Sequence, residues 1–284
     1  MHHHKLVYSI GGVSFAFQIS HPTIRRRLEQ YYRHYTASGS PDIHIEVKYE
    51  PGLKRPTLDS IIFQARNWKF GKIDERFCLI FPDKGKYFYA GYLDTSMKKI
   101  LLYTKEPSGR IVENFFPEFW YSLLLPKTQS LMLHSCGVVG MKKAYLFLAA
   151  SGGGKSTIAK LALKRGLKIL NDETIVIRKE KRLYKIYGTP WSGNVRHYSN
   201  GSHCIKEFFF LRKNTSNKIE PMTKVEAMVA LLRHNHCIPV NQEIISVLLD
   251  TCQDLSNNIK CYWLDFKPDD SFWRIVDGVA QDNS

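Results

Sequence analysis

The stretch Ser151-Gly152-Gly153-Gly154-Lys155-Ser156-Thr157 constrains this chain more than any other part of it. It follows an apolar run, Ala144–Ala150, and precedes the helical spacing of Ile158, Leu161 and Ala162, with Gly166 as a stop and Leu167–Leu170 as a returning strand. With Ala149 in its first position, the segment fits the phosphate-loop pattern G-x-x-x-x-G-K-[ST], in the strand, loop, helix and strand order that the pattern requires. Three successive glycines let the backbone turn its N–H groups inward, where side chains would obstruct them. The helix that follows adds the positive end of its dipole. Lys155 is then expected to reach the terminal phosphates, and Ser156 to place its hydroxyl on Mg²⁺. The plain alternative is a glycine-rich turn that only starts a helix.

Composition narrows the class. At 284 residues and 44% hydrophobic content, the chain can bury the core of one large domain or two small ones. No run reaches the roughly 18 apolar residues of a membrane span, and no secretory pattern is legible, so a cytoplasmic protein is expected. The six cysteines form no C-x-x-C pair and are read as reduced. A formal charge of +15 invites a nucleic-acid reading, but the basic residues are dispersed, apart from Arg25, Arg26 and Arg27. No nucleic-acid-binding motif accompanies them. Nucleotides, an acidic peptide or a membrane surface remain the anionic partners to consider.

Ahead of the loop, Ile24, Leu28, Tyr31 and Tyr35 recur at helical spacing after Pro22, and Asp42–Tyr49 alternates as a half-buried strand does. Phe77–Phe81, Lys86–Leu93 and Lys99–Tyr103 are further strand candidates, so residues 1–110 read as a small, strand-rich, antiparallel module. Pro107, Ser108 and Gly109 mark the break. Residues 111–284 form the α/β section that holds the loop, opening with a helix over Val112–Leu125, then a strand at Gly137–Val139 and a turn at Met141–Lys143.

Phosphate binding alone does not select an activity. Asp172 and Glu173 end the strand after the loop helix, where acidic groups in open α/β sheets lie near the loop and can hold Mg²⁺ or accept a proton. A turn or helix cap is the competing reading of Asn171-Asp172. His134 lies upstream among leucines, a setting more typical of a core histidine.

The stretches Leu131–Val138, the phosphate loop and Lys164–Glu173 together resemble the catalytic domain of HPr kinase/phosphorylase. That family carries a histidine-containing strand, its phosphate loop and an Arg-Gly then Asp-Asp segment at similar spacing. Gly188–Asn194 and Phe208–Leu232 look like the remoter HPr kinase-related proteins found with peptide-modification systems. The resemblance implies the α/β fold shared with phosphoenolpyruvate carboxykinase, and ATP- and Mg²⁺-dependent phosphorylation of a hydroxyl, such as that of serine, on a peptide, protein or small molecule. It implies Ser151, Gly152, Gly153, Gly154, Lys155, Ser156 and Thr157 around the triphosphate, and Ser156, Glu173 and Asp172 around the metal. Asp172 would be the general base, with His134 beside it. Glu173 stands where the family has a second aspartate, and the downstream glycine-rich signature of the bifunctional enzymes is not found, so HPr itself is not implied as substrate.

Thr189, Trp191 and Asn194 are candidates for the acceptor side, and Arg196 for the transferring phosphate. His234, His236 and Cys237 raise a zinc reading that lacks a second ligand pair. A nucleotide-binding regulator or silent partner of a biosynthetic system is the rival function. No Leu-Ser-Gly-Gly-Gln or Asn-Lys-x-Asp motif points to transporter-type or GTPase chemistry. Related enzymes assemble, which leaves homo-oligomerisation open.

Overall fold

The computed structural model describes residues 5–82, 88–106, 115–140 and 143–279, the side chains of 115–117 excepted. It divides into two compact units, Met1–Trp120 and Tyr121–Ser284, so the boundary stands ten residues beyond the expected one. The Pro107–Gly109 break and part of the Met141–Lys143 turn lie outside the described residues.

Among the described residues, the first unit carries eight strands: β1 (Leu6–Ile10), β2 (Val13–Ile19), β3 (Ile43–Tyr49), β4 (Ser60–Gln64), β5 (Lys69–Ile73), β6 (Arg76–Phe81), β7 (Tyr89–Leu93) and β8 (Lys99–Thr104). They form one sheet in the order β1-β2-β3-β8-β7-β6-β5-β4. The sheet is mixed and not purely antiparallel, because β2 with β3 and β3 with β8 run parallel. Parallel neighbours need long crossovers, and helix α1 (Pro22–Tyr31) supplies the first, from β2 to β3. Its buried positions Ile24 and Leu28 sit four apart, on one helical face. Tyr8, Phe15, Phe17 and Tyr32 pack ring against ring, with centroids 5.1 to 6.1 Å apart. The unit ends in the first part of helix α2 (Phe115–Leu124).

The second unit is built around β9 (Ser130–Val139), three times the length of the strand expected at Gly137–Val139. Its other strands are β10 (Ala144–Leu148), β11 (Lys168–Asn171), β12 (Thr174–Glu180), β13 (Leu183–Gly188), β14 (Ser202–Cys204), β15 (Glu207–Lys213), β16 (Lys218–Pro221) and β17 (Lys260–Phe266). The order is β14-β13-β12-β9-β10-β15-β17-β16, with β11 also paired to β9. β10 lies along one edge of β9 and β11 and β12 along the other, all antiparallel to it. Helix α3 (Lys155–Lys164) therefore carries the chain across β9 from β10 to β11. Helices α4 (Lys224–His234) and α5 (Gln242–Asn258) lie in the β15-to-β17 connection, and α6 (Phe272–Val279) closes the described chain.

The core beside α3 follows from these placements. Ile158, Ala159 and Ala162 of α3 join Phe147 of β10, Phe209 of β15, and Phe272 and Trp273 of α6 in one buried cluster. α3 stops where Gly166 takes left-handed backbone, φ 74°. There the Leu167 and Gly166 amides donate to the Ala162 and Leu163 carbonyls at 2.9 and 3.0 Å, a Schellman closure.

Candidate active site

The glycines shape the loop that leaves β10. Gly152 and Gly154 have φ of 74° and 113°, where a side chain would be strained. At Gly153 the constraint is space: a Cβ would stand 2.6 Å from the Ala149 Cβ and 2.9 Å from the Ala150 carbonyl oxygen. Gly154 is the N-cap of α3 and offers no side-chain acceptor to the first turn, whose amides have no partners within the helix. Ser151 and Gly152 are exposed, and Ser156 and Thr157 are half-buried.

Lys155, the first residue of α3, is only 5% exposed. Its ammonium donates to the Ala149 carbonyl at 2.9 Å, with the Ala150 carbonyl at 3.5 Å. Burial lowers its pKa, and the carboxylates of Glu173 and Asp172 oppose that effect. The two acids thus share a field with the loop lysine, although 17 residues or more separate them in sequence.

The acids sit where one sheet edge is interrupted. Asn171 pairs with Gly137 and Thr174 with His134, so Asp172 and Glu173 fall between β11 and β12. The Ser135 amide donates to the Glu173 carbonyl at 3.0 Å. Asn171 holds the corner: its Oδ1 accepts from the amides of Glu173 and Thr174 at 2.7 and 2.9 Å, and its Nδ2 donates to the Thr189 carbonyl at 2.8 Å. Such interruptions re-aim side chains, and here they aim the two carboxylates differently.

Glu173 keeps 43% of its side chain exposed, and its Oε1 lies 2.9 Å from His134 Nε2. The His134 hydrogen bond holds Glu173 below the usual carboxylate range. Burial opposes this, while the charges of His134, Lys155 and His236 assist it. Asp172 is fully buried. Its Oδ1 accepts from the Gly193 amide and its Oδ2 from the Val195 amide, each at 2.9 Å. The sequence reading gives Asp172 the proton-accepting role and a share of the metal. In the structure both its oxygens are engaged by backbone, and Glu173 is the carboxylate that meets His134.

The acceptor-side candidates separate in a similar way. Thr189 is buried and donates to the Thr174 carbonyl at 2.7 Å, while Trp191 is buried with its ring 5.2 Å from that of Tyr121. Both hold the loop in place. Asn194 and Arg196 are exposed.

His236, a zinc candidate in the sequence, lies near the site in another role. The His236 ring lies 5.2 Å from that of His134 at an interplanar angle of 25°. The chain after α4 runs along the part of β9 that β10 has left. The His236 amide donates to the Met132 carbonyl at 2.7 Å, the Met132 amide donates to Cys237 Sγ at 3.4 Å, and Asn235 bridges to Leu133. Asn235, His236 and Cys237 therefore brace β9, with the His236 ring against that of His134, whereas the His234 ring lies 5.9 Å from that of Phe210. Among the described residues, no group of three or more His, Cys, Asp or Glu side chains comes together as a metal cluster. The six cysteines are free thiols, and no described helix is long and apolar enough to cross a membrane.

Fold and site together define a mixed α/β protein with a glycine loop at the head of a helix and a carboxylate–imidazole pair that joins β9 to the gap between β11 and β12. Residues 121–281 match the family described as SynChlorMet cassette protein ScmC, and the chain belongs to that family. Among solved structures, the chain is similar to the Hpr(Ser) kinase/phosphatase from Coxiella burnetii, at 12% identity and a TM-score of 0.31, over 53% of this chain and 94% of that one. No curated protein matches it.

Proposed function

We propose that this protein is an ATP- and Mg²⁺-dependent phosphotransferase that moves the γ-phosphoryl group to a hydroxyl, such as a serine side chain, of a peptide, protein or small molecule. One observation supports the reading: the glycine loop heads α3 with Lys155 buried at its first position, and the gap between β11 and β12 sets Glu173 2.9 Å from His134.

Each part has a task. The amides of Ser151 to Thr157, at the positive end of α3, bind the phosphates, and Lys155 leaves its carbonyl partners to neutralise the terminal ones. Gly153 fits this role, since any side chain there would meet Ala149 and the Ala150 carbonyl. The Ser156 hydroxyl and a Glu173 carboxylate oxygen are hard oxygen donors of the kind Mg²⁺ takes alongside phosphates and water. Bound there, the ion would spread the charge of the transferring group. As the acceptor oxygen bonds to the γ-phosphorus, the bond from that phosphorus to the β,γ-bridging oxygen breaks and ADP leaves. The hydroxyl proton passes to the His134–Glu173 pair, where the carboxylate stabilises the imidazolium.

Purified protein incubated with ATP and Mg²⁺ tests this. Phosphorylation of a candidate acceptor, read by mass spectrometry and lost in Lys155→Ala, supports transfer. Tight nucleotide binding with neither hydrolysis nor transfer would instead identify a regulator.

A further inference from the structure

Asp172 does work that its sequence position does not announce. A carboxylate ordinarily keeps its lone pairs for water, a metal or a cation, yet this one is fully buried and spends both oxygens on the amides of Gly193 and Val195, at 2.9 Å each. Charge-assisted bonds of this kind are among the stronger ones in proteins. The loop they hold is anchored from behind by the buried Thr189 and Trp191. Its front lies against the acids: a Cβ on Gly193 would stand 3.0 Å from Glu173 Oε2, 3.1 Å from the Glu173 Cβ and 3.1 Å from Asp172 Oδ2. Gly193 does not have left-handed backbone, so its lack of a side chain answers to these contacts and not to its own conformation.

We infer that Asp172 is a positioning residue, whose carboxylate pins the 191–195 loop so that side-chain-free Gly193 packs against Glu173 and keeps that carboxylate turned to His134. The consequence for turnover rests on the phosphotransferase reading; the anchoring itself does not. Asparagine offers one acceptor oxygen where aspartate offers two. Asp172→Asn must therefore set an N–H₂ against a backbone N–H, releasing one end of the loop. Gly193→Ala keeps both acceptor oxygens of the anchor and sets a Cβ 3.0 Å from Glu173 Oε2 and 3.1 Å from Asp172 Oδ2, so it crowds the two acids without removing a hydrogen-bond acceptor.

The test uses the full chain, with backbone amide hydrogen exchange read at Gly193 and Val195, binding of a non-hydrolysable ATP analogue with Mg²⁺, and phosphate release from ATP. In the wild type both amides exchange slowly. Asp172→Asn accelerates one or both roughly ten- to a hundredfold, the scale of a lost hydrogen bond to a charged group, and lowers turnover while analogue affinity stays within about twofold. Gly193→Ala lowers turnover with a smaller acceleration of the two amides than Asp172→Asn causes, because both acceptor oxygens remain. Unchanged exchange in Asp172→Asn would overturn the anchor, as would analogue binding lost in proportion to turnover. Wild-type turnover in Gly193→Ala would overturn the role of the glycine. If the wild type bound no nucleotide, the phosphotransferase reading would fall, and exchange alone would still decide whether Asp172 holds the loop.

Discussion

His134 Nε2 and Glu173 Oε1 lie 2.9 Å apart, joining the middle of β9 to the gap between β11 and β12 close to the loop lysine. On this arrangement Glu173→Gln and His134→Asn each lower phosphoryl transfer by about 10²- to 10⁴-fold, the range of general acid–base contributions. The Glu173 change weakens Mg²⁺-dependent nucleotide binding as well, whereas the His134 change leaves it near the wild-type level. Single-turnover rates and calorimetric affinities for the two variants separate these effects. Equal loss of affinity in both would remove the distinction.

Gly153→Ala should abolish nucleotide binding and lower the melting temperature, because the new Cβ meets the Ala149 Cβ at 2.6 Å and the Ala150 carbonyl at 2.9 Å. Adding Ala149→Gly removes the first contact and leaves the second. The double variant is expected to recover part of the stability, a coupling read from a double-mutant thermal series. Strict additivity would show that the loop is packed otherwise.

The core beneath the loop sets its rigidity. Phe147 is fully buried, with ring centroids of Phe209, Trp273 and Phe272 at 5.5, 5.9 and 6.1 Å. Phe147→Ala should cost about 3–5 kcal/mol, as large-to-small core changes do, measured by denaturant unfolding of the isolated variant. A cost below about 1 kcal/mol would mean that the site collapses around the cavity.

Acid should weaken the protein through its neutral histidines. Burial first, then the charges of His134 and Lys155, push His236 down to about 4, with Glu173 opposing. Burial also takes His234 to about 4, with His134, Lys155, His236 and Arg233 adding to it. Between pH 6.5 and 4 the unfolded chain binds protons that the folded chain refuses, so stability falls as pH falls through that window and these two groups add no further loss below it. Glu173, with its lowered pKa, adds a loss only further down, as pH drops below the ordinary glutamate value and through its folded one. Melting temperatures from pH 7 to 4 should decline less steeply in a His234→Gln/His236→Gln variant. A parallel decline would assign the acid sensitivity elsewhere.

Much of the second unit is written locally. The apolar strand, the glycine loop, the α3 spacing and the Gly166 stop lie within some two dozen contiguous residues, and each has its own backbone signal. Gly11 and Gly12, both at positive φ, are a local mark of the tight hairpin between β1 and β2. The hairpin between β12 and β13 turns at Lys181, φ 56°, with no glycine or asparagine to announce it. The parallel pairings of β2, β3 and β8 have no local mark, since each depends on partners brought in by a crossover. The same holds at the site. His236 reaches His134 from about a hundred residues away, and nothing in the letters Asp172-Glu173 says which acid turns inward.

The interruption between β11 and β12 makes the order of the two acids matter as much as their presence. An aspartate is short enough to stay under the backbone amides, and a glutamate long enough to span to the imidazole. Exchanging them, as Asp172→Glu with Glu173→Asp, conserves charge and composition to the atom. It would nonetheless crowd the inner position and leave the outer one short of its partner.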